Sequence, residues 1–394
     1  MNATSANRVA ARPAAAPTTQ ESAGRGPGRR GNSPGQAQSG QTQSGQTQSG
    51  QTQSGRERRP GRGGPATRTL GLLLTVGLLV VTVGLSLAVG ARATGLSAVV
   101  DALFDPQAST DATVIREQRL PRTLLGLTVG AALGLAGAVM QALTRNPLAE
   151  PGILGVNAGA AAAVVVAVSL LGLDSLAAYV WFALAGAAVV SVFVYLLGSV
   201  GRAIASPARL ALAGAATAAV LTAFTQAVLM LDRAAFDQFR FWAVGSLAGR
   251  GLDVLWWVLP FIGAGLVVGL LLAGPLNTLA LGDEAGRALG AHPGRIRALT
   301  ALAITLLCGG ATAAIGPISF VGLAVPHAVR ILTGPDHRWL LPCSAVLAPA
   351  LLLASDVLGR VIARPGEVEV GIVTAILGAP VFMALARRRR LAQL

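Results

Sequence analysis

Arg119 and Arg122 stand three residues apart in RLPRTLL, and Arg360 follows Asp356 by one helical turn near the far end of the chain. Guanidinium groups at that spacing project from one side of a helix, and each can hold a carboxylate through two parallel N–H bonds. The chemistry on offer is recognition of acidic groups, not bond making. Spacing alone leaves two other uses open: snorkelling to lipid phosphates, or pairing with local acids such as Glu117 and Asp356. A second charged set, Asp283, Glu284 and Arg287, lies in LGDEAGRALGAHPGRIR opposite Leu281, Ala285, Ala288 and Leu289, with Gly290 and Pro293 as a stop. It reads as a short amphipathic helix. Two further segments, Asn146-Pro147-Leu148-Ala149-Glu150-Pro151-Gly152 and Ala205-Ser206-Pro207, read on residue type alone as plain turns. Cys308 and Cys343 sit in apolar segments without a CxxC pattern, and His327 stands alone, so these three read as structural; no metal or cofactor is expected.

The elements that must position these residues are dictated by composition. Of the 394 residues 53% are hydrophobic and only 12% charged, far from the balance of a soluble globular domain. All of the 31 basic residues counted as Lys plus Arg are arginine. A P-loop needs its phosphate-binding lysine, so this chain cannot hydrolyse ATP by that route. Net charge is +14, but residues 1 to 69 hold ten arginines against Glu21 and Glu57, so most of the excess is a tail, with no basic patch interleaved with aromatics. Nucleic acid is thereby excluded as a partner. That tail, with QAQSG and three QTQSG units from Gln36 to Gly55, has too little apolar surface to fold and is expected to be disordered.

From Leu70 onward nine charge-free runs follow, at 70–90, 123–144, 151–173, 175–201, 210–231, 254–282, 298–326, 339–355 and 370–386. The expected fold is all-α, a polytopic membrane protein. An odd number of crossings would put the Arg-rich amino terminus and Arg387 to Arg390 on opposite sides, against the positive-inside rule. One crossing is therefore hidden. Gly316-Pro317 interrupts a run too long for one helix, so Ser319 to Leu332 is expected to return as a shorter, broken or re-entrant helix, giving about ten transmembrane helices with both termini cytoplasmic. Loops on the inside then carry twelve arginines against four carboxylates, and loops on the outside nine against eleven. Within the second run Gly126, Gly130, Gly134 and Ala138 recur every four residues, a small-residue stripe that invites close helix packing.

The segment RLPRTLLGLTVGAALGLAGAVMQALTRNPLAEPGILGV resembles the signature of the FecCD-type permeases, the membrane subunits of bacterial ABC importers for ferric siderophores, haem or cobalamin. The similarity runs from about Leu70 to the carboxyl terminus and returns in several separate motifs, including GDEAGRALG at 282–290, FWAVGS at 241–246 and PISFVGLAVPHAVR around His327. It implies a type II importer fold like that of the cobalamin permease, residing in the bacterial inner membrane, and no enzymatic activity of its own. By resemblance Arg119, Arg122 and Arg360 receive acidic residues of an extracytoplasmic substrate-binding protein. Asp283, Glu284, Arg287, Leu289 and Gly290, in a coupling loop at 276–297, contact one of two ATP-binding subunits. Asn146, Leu148 and Ser206 constrict the exit of a channel shared with a second permease copy or a paralogue. Two features depart from the family: the tail before Leu70 and the sequence Glu367-Val368-Glu369, where relatives read Glu-Leu-Pro.

Two other classes compete on the residues alone. An ion-coupled secondary transporter would suit the break at Gly316-Pro317, but such proteins place an ionisable residue in mid-span, and every Asp and Glu here falls outside the charge-free runs. A membrane enzyme would need a clustered nucleophile, base or metal set, and none is legible. The leading expectation is a permease for an iron(III) chelate, with cobalamin or haem as the alternative cargo.

Overall fold

The computed structural model describes residues 65–90, 95, 99–102, 110–173, 175–199 and 207–387. Nearly all of the expected tail, and Ser206, lie outside the described residues. The first helix, α1 (Pro65–Ala88), begins five residues before the expected boundary at Leu70.

Among the described residues seven helices are long and apolar enough to cross a membrane: α1, α2 (Leu120–Thr144), α4 (Leu176–Ser199), α5 (Pro207–Leu231), α7 (Leu252–Leu271), α10 (Pro293–Ile315) and α12 (His337–Ile362). Three shorter apolar helices complete the set: α3 (Val156–Ser169), α11 (Val321–Thr333) and α13 (Val370–Arg387). The ten together match the count expected from nine runs and one hidden crossing. The hidden one is α11, which follows a break at Gly316 (φ +83) and starts after Phe320 (φ +70), two residues later than the expected Ser319. Two runs are shorter as helices than as sequence. Residues 151–154 form a 3₁₀ turn before α3, and 254–282 divides into most of α7 and α8 (Ala273–Ala280), after which α9 (Asp283–Ala288) follows. Pro151 and Pro275 account for both, since proline suits a first turn and interrupts a ladder.

The core lies around α2, which packs against α12, α10, α11 and α7. Its small-residue stripe does what the spacing promised. Gly126 faces Leu353, Gly130 faces Pro349 and Gly134 faces Ala348, all on α12, while Gly137 lies against the carbonyl of Gly322 on α11. Backbones approach this closely only where no Cβ intervenes. Three helices at the edge of this core, α1, α4 and α5, carry the exposed apolar residues Leu73, Val80, Val189, Phe193, Leu212 and Val220, the composition of a lipid-facing surface.

Two further helices were not legible as runs, the short Thr110–Val114 and a longer one after Asp232. Asp232 accepts an N–H bond from Ala235 (3.0 Å) and caps α6 (Arg233–Ala243), whose Ala235, Phe239 and Trp242 turn inward. Bonds from the Ala235 N–H and then the Ser169 hydroxyl hold the Asp232 carboxyl below the usual carboxylate range. The FWAVGS segment at the end of α6 is a packing junction. Trp242 is buried, Ser246 N–H bonds the Ile315 carbonyl, and Gly371 N–H bonds the Gly245 carbonyl, so α6, α10 and α13 meet there.

Candidate functional site

Two polar clusters stand at opposite ends of α2. At its amino-terminal end a π-helical turn (Ile115–Arg119) runs directly into α2, with Pro121 in the first helical turn, and brings Arg119 and Arg122 beside the end of α1 and Arg360 of α12. The last carbonyls of any helix lack intrahelical donors. Here arginines supply them. Arg119 donates to Leu87 O (2.8 Å) and Ala88 O (3.0 Å), and Arg360 donates to Ser86 O (3.0 Å) and Val89 O (2.7 Å). Arg364 adds a bond to Gly90 O (3.0 Å).

Asp356 is the counter-charge of this cluster. At 1% exposed it pairs with Arg122 (2.7 Å) and with Arg360 (3.0 Å), and Arg122 also pairs with Glu367 (2.7 Å). The structure thus brings Arg119, Arg122 and Arg360 together. The side chains of Arg119 (7% exposed) and Arg360 (3% exposed) are turned into the protein, because orphan carbonyls and Asp356 hold them there. Pairing of Arg122 with Asp356 is one of the uses that spacing had left open. The Arg122–Glu367 pair reaches the surface, as does Arg364, and Glu367 belongs to the segment that departs from the family pattern. Nearby, burial lowers Arg250 below the ordinary guanidinium value, against the charge of Glu369.

The second cluster lies at the carboxyl-terminal end of α2. The helix α9 is exposed along most of both expected faces, and only Asp283 and Gly286 turn toward the protein. Leu281 is 66% and Leu289 67% exposed, Glu284, Arg287 and Gly290 are exposed, and Asp283 turns inward. Asp283 accepts two bonds from Arg297 (2.9 and 2.8 Å) and one from Arg145 (3.0 Å), while Arg145 also donates to Leu279 O (2.7 Å) at the end of α8. Leu279 and Leu276 anchor α8 in the core.

Asn146 and Leu148 lie in the link between α2 and α3. Asn146 is exposed and its Oδ1 accepts the Leu148 N–H (3.0 Å), a side-chain turn that fixes the link. Glu150 accepts the Phe320 N–H (3.2 Å), and burial pushes its carboxyl up while that bond opposes the shift. Three groups carrying these clusters had no sequence signal: Arg145 and Arg297, read only as loop arginines, and Glu150, read as part of a turn. Their partners are 138, 14 and 170 residues away.

No group of three or more His, Cys, Asp or Glu that could hold a metal occurs among the described residues. Cys308 and Cys343 are buried and unpaired with each other.

Among the described residues the bundle holds ten apolar helices, with one polar cluster at each end of its central helix. The chain belongs to the FecCD transport family, which it matches over residues 78–388. It is 49% identical over 320 residues to the ferric enterobactin transport system permease protein FepD of Escherichia coli (strain K12), covering 81% of this chain and 94% of that one. The probable siderophore transport system permease protein YfiZ of Bacillus subtilis (strain 168) is 41% identical, over 80% of this chain and 95% of its own length. Among solved structures, an inward-facing metal-chelate type ABC transporter superposes with a TM-score of 0.71 at 29% identity, covering 82% of this chain and 99% of that chain. The protein is an integral membrane permease of ABC-importer type.

Proposed function

We propose that this permease imports a ferric siderophore across the inner membrane, with both termini in the cytoplasm, paired with a second permease copy or a paralogue. Two ATP-binding subunits drive it and one extracytoplasmic binding protein delivers its cargo. The observation that carries the cargo is the 49% identity, over nearly the whole length, to a permease named for ferric enterobactin. In this reading ATP-driven closure presses on the exposed apolar face of α9, with Glu284, Arg287, Leu289 and Gly290 at the contact and Asp283 behind it. The gate lies at Asn146, Leu148 and Ser206. Two sites coupled through one bistable packing arrangement are what alternating access requires.

On the outer side, the docking residues of the proposal are Arg122 at the surface and Arg119 and Arg360 as its support. Arg122 already holds Glu367, so an incoming carboxylate must compete with it. Arg122→Ala is expected to weaken binding of the loaded binding protein to the purified complex about tenfold, a loss of ~1.4 kcal/mol. Glu367→Gln, which removes the competitor, is expected to tighten it. Affinity unchanged in both variants, measured by surface-immobilised binding, contradicts docking at this cluster. Binding proteins loaded with ferric catecholate, ferric hydroxamate, haem or cobalamin, compared for uptake into proteoliposomes, decide the cargo; uptake restricted to haem or cobalamin contradicts the siderophore reading.

A further inference from the structure

Between the end of α2 and the 3₁₀ turn at Pro151 runs a segment of six residues, 145–150, that is fixed at both ends and along its length. Arg145 is a left-handed cap (φ +50) whose N–H bonds Ala142 O, and Asn146 N–H bonds Gln141 O (3.1 Å). Asn146 closes two further bonds, from Leu148 N–H to its side chain and from Ala149 N–H (3.1 Å) to its carbonyl. The segment is therefore a rigid link, not a loose loop. One end is fastened to the α8–α9 region through Arg145, which bonds Leu279 O and Asp283. The other end is fastened to the start of the broken helix α11 through Glu150, which accepts the Phe320 N–H.

Phe320 holds a positive φ, a conformation costly for an aromatic residue and kept only where the surroundings impose it. Its ring lies against Gly378 of α13, so a shift at Phe320 is felt by α11 and α13 together. A displacement of α9 thus has a short covalent and hydrogen-bonded route to the break between α10 and α11.

We propose that Arg145 and Glu150 are positioning residues that make the 145–150 segment the transmission rod of this permease, carrying motion of α9 to the α10–α11 break. The inference rests on the permease reading above and adds to it which atoms carry the motion.

The test uses the complete complex of permease, ATP-binding subunits and binding protein in proteoliposomes, measuring ATP turnover and chelate uptake on the same sample. Arg145→Ala and Glu150→Ala are each expected to leave ATP turnover within twofold while uptake per ATP falls about tenfold. The double variant is expected to be no worse than the poorer single, because both cut one rod; independent sites would multiply their losses. Arg145→Lys, which keeps a donor and the charge, and Glu150→Gln, which keeps an acceptor for Phe320 N–H, are expected to recover most of the uptake per ATP. An unchanged ratio in the alanine variants, multiplicative losses in the double, or conservative variants that recover nothing would each overturn the proposal. If the wild-type complex itself shows no ATP-dependent uptake, the permease reading fails first and the rod with it; if wild type is ATP-driven and the alanine variants match it, only the rod fails.

Discussion

Asp356→Ala is expected to destabilise the chain more than any other single charge removal. Asp356 is 1% exposed and bonds Arg122 and Arg360 at once, so its loss takes the salt-bridge partner of Arg360 (3% exposed), while Arg122 keeps Glu367. Removing one partner of a buried ion pair costs about 3–5 kcal/mol, since the remaining charge stays desolvated. Arg360 still has the carbonyls of Ser86 and Val89, but neutral acceptors do not replace a carboxylate. The consequence reaches α1, because its last carbonyls are satisfied by Arg119 and Arg360. In a thermal unfolding series in detergent, Asp356→Ala should fall far below wild type, and Glu367→Gln, at a more exposed pair, should shift by no more than about 1 kcal/mol. Equal stability of Asp356→Ala and wild type would mean that the cluster is not the clamp described.

Gly137→Ala is the second large effect. A Cβ at Gly137 falls on the backbone carbonyl of Gly322, and backbone cannot swing aside as the end of a flexible side chain can. Overpacking of this kind typically costs about 1–3 kcal/mol, and here the helices themselves must part. The control is Gly84→Ala on α1, where an added Cβ meets nothing within 4 Å. Alanine is preferred to glycine inside a helix by about 1 kcal/mol, so that variant should unfold at or above the wild-type temperature. Opposite signs for the same substitution on α1 and α2 are the expected result. Equal shifts would contradict the close contact between α2 and α11.

Much of this architecture is written in residue types. The recurrence of Gly126, Gly130 and Gly134 announced a close-packed face, and the face packs on α12. Gly316-Pro317 announced a broken crossing, and α10 ends at Ile315 with α11 resuming at Val321. Pairing rules along a chain do not extend to groups without side-chain identity, which is why the acceptors of Arg119 were not legible: they are backbone carbonyls at the end of another helix. The two faces of α9 followed from its periodicity. That Asp283 alone of its charged residues turns inward did not, because Asp283 is held by Arg145 and Arg297, and the first of them is 138 residues away. Likewise α6 lacked a charge-free run, though its Asp232 cap and inward Ala235, Phe239 and Trp242 carried a helical period within a charged segment.

The central claim is that motion enters this chain from a separate ATPase through α9, and the direct measurement is uptake of a radiolabelled ferric siderophore into proteoliposomes. With the ATP-binding subunits, the binding protein and ATP all present, accumulation is expected, and withdrawal of any one should stop it whatever proton or sodium gradient is imposed. Accumulation by the permease alone that follows an ion gradient and ignores ATP would contradict the account.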